Sequence, residues 1–310
     1  MRLTDILQQA TRPFPTLEIV PPSKGIAKEE LLASLEPLME FQPRLVNVTC
    51  HRDEIQFRPE PDGSWSRHIV RNRVSETAVC GAILSRFNVE VVPHLICAGA
   101  TKEEIESSLY DFRFMGIRHV MALRGDGLAG EKRFTPTPGG YAHADGLVAG
   151  IRAFEEEHPA ETPFCIGVGG YPEKHAEAAN LETDIANLAG KVAAGADYII
   201  TQMFFDNRVF YDFERRCREA GITVPILPGL KPLSTARQID LLPETFSLDI
   251  PLALTRAVRE AGADKEAVYR IGTQWCIDQC RDLLAHGVPA VHFYTMGRSR
   301  NITTILRACF

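Results

Sequence analysis

Charge of one sign is scarcely in excess in this chain: 34 Lys and Arg stand against 40 Asp and Glu, a formal net charge of -6 over 310 residues. The electrostatic footprint of a nucleic-acid or anionic-membrane partner is therefore missing, and a small molecule is the expected partner. No apolar run reaches the length of a membrane span or a signal peptide. The first fifteen residues instead hold Asp5, Gln8, Gln9 and Arg12, which reads as an unexported, cytoplasmic protein. Among eight cysteines there is no Cys-x-x-Cys pair and no Cys/His cluster at zinc spacing, so no metal site is expected and the thiols read as reduced. Cys276 and Cys280 are four apart on an expected helix and read as buried packing rather than soft ligands. Low-complexity tails and solenoid repeats are lacking too. So is a G-x-G-x-x-G turn after the first strand, which an open doubly wound dinucleotide fold would need.

What is present is a beat. With 45% hydrophobic residues the chain can bury a large core. Short β-branched or apolar runs at 16–20, 45–49, 89–95, 119–123, 164–168, 198–201, 224–227 and 290–293 alternate with stretches of helical period at 28–40, 71–86, 101–115, 147–157, 181–194, 209–220 and 266–285. Gly116, Gly195, Gly221 and Gly287 each stand between a helix and the next strand, where a left-handed residue ends a helix. Eight such units favour an α/β fold closed as a single (β/α)8 TIM barrel over residues 1–310.

In such a barrel, chemistry gathers just after each strand. The segments there are polar and glycine-rich: Thr49-Cys50-His51, Pro93-His94-Leu95, Arg124-Gly125-Asp126, Gly169-Gly170-Tyr171-Pro172-Glu173, Gln202-Met203-Phe204-Phe205-Asp206 and Tyr294-Thr295-Met296-Gly297-Arg298. Two long segments, 52–67 and 127–141, rich in Pro, Gly and charge, read either as loops covering the mouth or as passive surface insertions.

Taken in order, these segments resemble the methylenetetrahydrofolate reductase family. Leu17-Glu18-Ile19-Val20-Pro21-Pro22 and Pro93-His94-Leu95-Ile96-Cys97 are similar to two of its strand motifs. The run from Gly116 to Asp126, then Tyr171-Pro172-Glu173-Lys174-His175, Ile200-Thr201-Gln202-Met203-Phe204-Phe205-Asp206 and His292-Phe293-Tyr294-Thr295-Met296-Gly297-Arg298 carry the likeness across nearly the whole chain. The resemblance implies a catalytic barrel without the regulatory domain of eukaryotic members, usually a homo-oligomer. It also implies non-covalent FAD on the rim, NADH or NADPH as hydride source, and ping-pong reduction of 5,10-methylenetetrahydrofolate to 5-methyltetrahydrofolate.

That chemistry needs an acid to protonate a nitrogen leaving group. Glu18 is the candidate: its apolar neighbours are expected to raise its pKa by desolvation. On its residues alone it reads first as a rim glutamate paired to an arginine. Asp126 corresponds to the family aspartate beside the flavin and the pterin, although Gly-Asp-Gly is also good turn chemistry. Arg124 and Gly125 would add charge and close backbone approach. Thr49, His94, Tyr171, His175, Ala178, Asp184, Asn187 and Lys191 align with positions lining FAD, the last three sharing a helix face that is otherwise simply solvated. His143 and Ala144 fall at the adenine end. Gln202, Gln238 and Arg298 match positions that handle folate, with a glutamine suited to a pterin edge and a guanidinium to the glutamate tail. Departures concentrate at the adenine end, where His143 replaces a tyrosine, Gly146 an aspartate and Gly190 a basic residue. The family's stacking phenylalanine falls at Leu242, with Phe246 one turn later as a substitute. Two rival readings remain: a flavin-free lyase or aldolase, with Lys231 as its Schiff-base lysine, and a non-catalytic folate-binding subunit.

Overall fold

The computed structural model describes residues 1–51, 54–127, 134–297 and 299–310. The chain runs α1 (Leu3–Gln9), β1 (Phe14–Ile19), α2 (Lys28–Met39), β2 (Leu45–Val48), β3 (Glu54–Pro59), β4 (Trp65–Val70), α3 (Glu76–Leu84), β5 (Glu90–Ile96), α4 (Lys102–Phe114) and β6 (His119–Leu123). It continues α5 (Ala144–Glu157), β7 (Cys165–Gly170), α6 (Leu181–Ala193), β8 (Tyr198–Met203), α7 (Asn207–Glu219) and β9 (Ile226–Leu230). The last elements are α8 (Gln238–Phe246), α9 (Leu252–Ala261), α10 (Lys265–His286), β10 (Ala290–Tyr294) and α11 (Ser299–Cys309).

Eight parallel strands close in the order β1-β10-β9-β8-β7-β6-β5-β2, the barrel that the alternating pattern foretold. The four corner glycines all carry positive φ, from 75° at Gly116 to 117° at Gly195. Because strand side chains alternate, each strand feeds two cores. Leu17, Ile19, Val46, Val48, Val120 and Ile166 point outward to the helices. Phe14, Leu45, Val92, Met121, Cys165, Tyr198, Ile200 and Leu227 fill the barrel, which Leu3 and Ile6 of α1 close from below. Cys276 and Cys280 are buried on α10, as packing residues would be.

Two expectations change. Residues 54–70 form an antiparallel hairpin rather than a loop, with Ile55 opposite Ile69 and Phe57 opposite Arg67. Its charge and proline mask a period-two pattern, and the turn is tied by Gly63 N–H to Glu60 O at 3.0 Å and by Ser64 N–H to the Asp62 carboxylate at 2.9 Å. Phe57, Trp65 and Ile69 on one face of it are exposed. The helix expected from residue 71 starts only at Glu76, because Arg73 bridges to Ser23 in extended form and the Ser75 hydroxyl caps the first turn. Within 127–141, residues 128–133 lie outside the described residues, and 134–141 are irregular.

Candidate active site

Strand alternation brings a layer of polar side chains onto the barrel axis beneath the mouth. Thr16 and Glu18 come from β1, Asn47 from β2, His94 from β5 and His292 from β10. All are buried except Glu18, whose side chain keeps 15% of its surface exposed. Glu18 Oε2 lies 3.8 Å from His94 Nε2 and 3.8 Å from His292 Nε2. His292 Nδ1 is 2.9 Å from Thr16 Oγ1, its neighbour in the β1–β10 register. Neither Nε2 has a hydrogen-bond partner.

This surrounding overturns the expected proton balance of Glu18. Burial is the largest single influence and does push the carboxyl up. The His292 imidazole 3.8 Å away and the charges of His94, His292 and His51 together outweigh it, so the carboxyl is held below its ordinary value. Burial also lowers His94, to about 4, despite the opposing pull of Glu18. His51 is lowered as well, by burial and by Arg73, against Glu18 and Asp126. Thr49 Oγ1 lies 3.0 Å from His51 Nε2.

Beside this layer the chain after β6 turns at Gly125, where φ is 81° and an added Cβ would come within 2.9 Å of Ala98 Cβ and 3.1 Å of Ile96 Cβ. That tight turn presents Asp126 to solvent at the mouth. Arg124 is engaged by Glu177 through two bonds of 2.9 and 2.8 Å, and its guanidinium lies 4.9 Å over the Phe134 ring.

The β7 loop and α6 form the adjoining wall. The Tyr171 ring meets His175 edge-on at 4.8 Å between centroids, and burial followed by Asp184 raises its hydroxyl to about 12. Asp184 accepts the His175 N–H at 2.8 Å, and Ala178 N–H donates to His175 O at 3.0 Å. Lys191 donates to Gly169 O at 2.7 Å, and burial lowers its pKa to about 8 against the pull of Asp184 and Asp145. Asn187, on the same helix, is exposed. His143, expected from the sequence at the adenine end, is the exposed N-cap residue of α5, with no side-chain cap bond, and Ala144 is buried. A Cβ at Gly190 would meet nothing within 4 Å, so the backbone is open here where it is tight at Gly125.

Gln202 faces the same region but spends its carbonyl on Met203 N–H at 2.9 Å, leaving its amide N–H groups for a ligand. Gln238 does more structural work than the sequence suggested: its carbonyl accepts Ser234 N–H at 2.7 Å and Thr235 N–H at 3.1 Å. Arg298 lies outside the described residues. Leu242 is packed away with Met203 and Phe205, whereas Phe246 lines a small cleft with Tyr171 and Gln202. A larger cleft of about 610 Å³ is walled by Glu173, Asp206 and Asp249 instead of Glu18. Burial, then the neighbouring aspartates, raises the Glu173 carboxyl to about 7, against the Asp249 N–H it accepts. His292 was not singled out from the sequence; its isolation in an apolar run inside a strand was the available signal.

The tight turn at Gly125 and the cationic wall at Lys191 fit an extended anionic cofactor with a planar head. Lys231 is buried, and its charge acts on Cys276 of α10. The family model described as Methylenetetrahydrofolate reductase matches residues 2–309. The chain belongs to that family. A "5,10-methylenetetrahydrofolate reductase" of Salmonella typhimurium is 32% identical over 284 residues, covering 92% of this chain and 86% of the relative. An Arabidopsis thaliana "Methylenetetrahydrofolate reductase (NADH) 1" is 30% identical over 320 residues and 99% of this chain. The chain spans about half the length of that plant relative, 50%. Among solved structures, an uncharacterized protein from Clostridium thermocellum that binds two copies of 5-methyl-5,6,7,8-tetrahydrofolic acid shares the fold, with a TM-score of 0.62 at 13% identity, covering 99% of this chain and 97% of its own.

Proposed function

We propose that residues 1–310 form one catalytic domain that reduces 5,10-methylenetetrahydrofolate to 5-methyltetrahydrofolate by a ping-pong reaction, with NADH or NADPH as reductant, non-covalent FAD along the C-terminal rim and Glu18 as proton donor. The carrying observation is the Glu18 carboxyl, largely enclosed on the barrel axis between the imidazoles of His94 and His292. Family membership supplies the substrate class. FAD, when bound, supplies the hydride relay, which leaves the protein to position, exclude water and move one proton.

Held below its ordinary pKa, Glu18 rests ionised near neutral pH. Desolvation is already the largest influence on it, so a substrate that covers its remaining exposed edge shifts it toward the protonated form. The acid is thereby loaded as the leaving nitrogen arrives. Asp126 at the mouth would accept hydrogen bonds from the pterin and disfavour an anionic reduced flavin. The Gln202 amide N–H groups would donate to the pterin, and Phe246, beside Gln202, would supply the stacking face that Leu242 cannot. Gly125, Arg124, Thr49, His94, Tyr171, His175, Ala178 and Asp184 would line the flavin and its ribityl chain. Lys191 and Asn187 would meet the phosphates, and His143 and Ala144 the adenine. Gln238 and Arg298 would handle the rest of the folate. We read the protein as a cytoplasmic homo-oligomer.

The test is visible spectroscopy. Purified protein, with FAD added if needed, should show an oxidised flavin spectrum that NADH or NADPH bleaches without oxygen and that methylenetetrahydrofolate restores. A colourless protein that binds no added FAD would instead favour the lyase reading.

A further inference from the structure

His292 sits in the polar layer with no solvent exposure and a Nε2 that makes no hydrogen bond among the described residues. Its other nitrogen is fixed by the Thr16 hydroxyl at 2.9 Å. That contact decides the tautomer. If Nδ1 carried the proton, the Thr16 hydroxyl hydrogen would lack an acceptor and a bare Nε2 lone pair would face a carboxylate. With the proton on Nε2, Thr16 donates to Nδ1 and Nε2–H points at Glu18 Oε2. The separation of 3.8 Å is an ion-pair distance rather than a formed hydrogen bond.

We propose that His292 is the positioning residue for the acid: held by Thr16, it draws Glu18 Oε2 to the floor of the site, leaves Oε1 for the substrate, and stabilises the carboxylate after the proton has gone. The proposal rests on the reading of Glu18 as proton donor. The other titratable groups around Glu18 are His94 from β5, His51 from the loop after β2 and Tyr294 from β10, with Arg73 and Asp126 acting on His51. Among the described residues His94, unlike His292, makes no hydrogen bond that fixes its ring, and its burial drives it neutral above about pH 4.

The test reads the carboxyl directly. Protein carrying glutamate labelled with carbon-13 at the carboxyl is titrated by NMR, and Glu18→Gln identifies the Glu18 resonance by its disappearance. In His292→Leu the carboxyl loses its donor, and its apparent pKa should rise by about one unit. The double variant Thr16→Val/His292→Leu should show the same rise; it replaces both members of the Thr16 pair with apolar groups, which protects folding. His292→Gln, which returns an N–H near the Nε2 position, should bring the value back toward wild type. In pre-reduced enzyme mixed with methylenetetrahydrofolate, the alkaline fall in rate should move to higher pH in the two Leu variants and return in His292→Gln. An unchanged Glu18 titration in the double variant, or the same rise in His292→Gln as in His292→Leu, overturns the proposal. The NMR titration needs no turnover. A wild-type protein inert toward methylenetetrahydrofolate would therefore refute the functional reading while the titration still decides the role of His292.

Discussion

Replacing Gly125 with alanine tests whether the β6 loop is shaped by close approach as well as by backbone conformation. The residue has φ 81°, and a left-handed conformation costs a residue with a Cβ about 1–2 kcal/mol. The new methyl would also press on Ala98 at 2.9 Å and Ile96 at 3.1 Å. That wall cannot easily retreat, since Cys97 N–H bonds Leu123 O at 3.1 Å and Ala98 N–H bonds Arg124 O at 2.9 Å. Overpacking of this kind adds about 1–3 kcal/mol. The sum, about 2–5 kcal/mol, is a large part of a typical domain stability of about 5–15 kcal/mol. Gly139 is the control: its φ is 76°, yet nothing lies within 4 Å of its Cβ, so Gly139→Ala should lose only the conformational part. Urea unfolding of the two variants and a flavin titration of each would measure the difference. Equal losses in the two variants would refute the close-approach argument. So would full flavin affinity in Gly125→Ala, because the turn displaces Asp126 if it yields.

Lys191 is held near pKa 8 by burial, so affinity for FAD should fall as pH rises above about 8, and Lys191→Met should bind weakly with that pH dependence removed; fluorescence titration checks both. Glu173, raised to about 7, binds its proton more tightly folded than unfolded, so wild-type stability should decline as pH rises from about 4.3 toward 7. Glu173→Gln should lack that component of the decline, as denaturant midpoints at each pH would show. Asp197 accepts from Arg2 at 2.5 Å, Arg152 at 2.7 Å and Ile166 N–H at 2.8 Å. Asp197→Ala removes an acceptor from all three donors, Arg152 keeping Gly195 O, and should cost about 2–4 kcal/mol by urea unfolding.

The barrel was legible because its strands are apolar on both faces and its helices end on glycine, signals that lie within a few residues of each other. The hairpin was missed for the opposite reason. Its Pro59, Glu60, Pro61 and Asp62 look like a loop, and the alternation of Ile55, Phe57, Trp65 and Ile69 becomes visible only once the two halves are paired. Helices α1, α9 and α11 lie outside the helical stretches read from the sequence, being short or peripheral to the βα beat. Glu18 itself was legible, but its proton balance was not. Ile19, next in sequence, points outward from the strand. What surrounds the carboxyl arrives from His94 and His292, far along the chain, and the closure of the sheet brings them together. Gln238 shows a related limit: a family position says nothing of the backbone N–H groups that occupy its carbonyl here.

The most direct test of Glu18 as proton donor is the pair of half-reactions in Glu18→Gln, followed by anaerobic stopped flow. Flavin binding and flavin reduction by NADH or NADPH should persist, because neither step calls on the acid, while reoxidation by methylenetetrahydrofolate should be lost. Reoxidation at the wild-type rate would contradict the account.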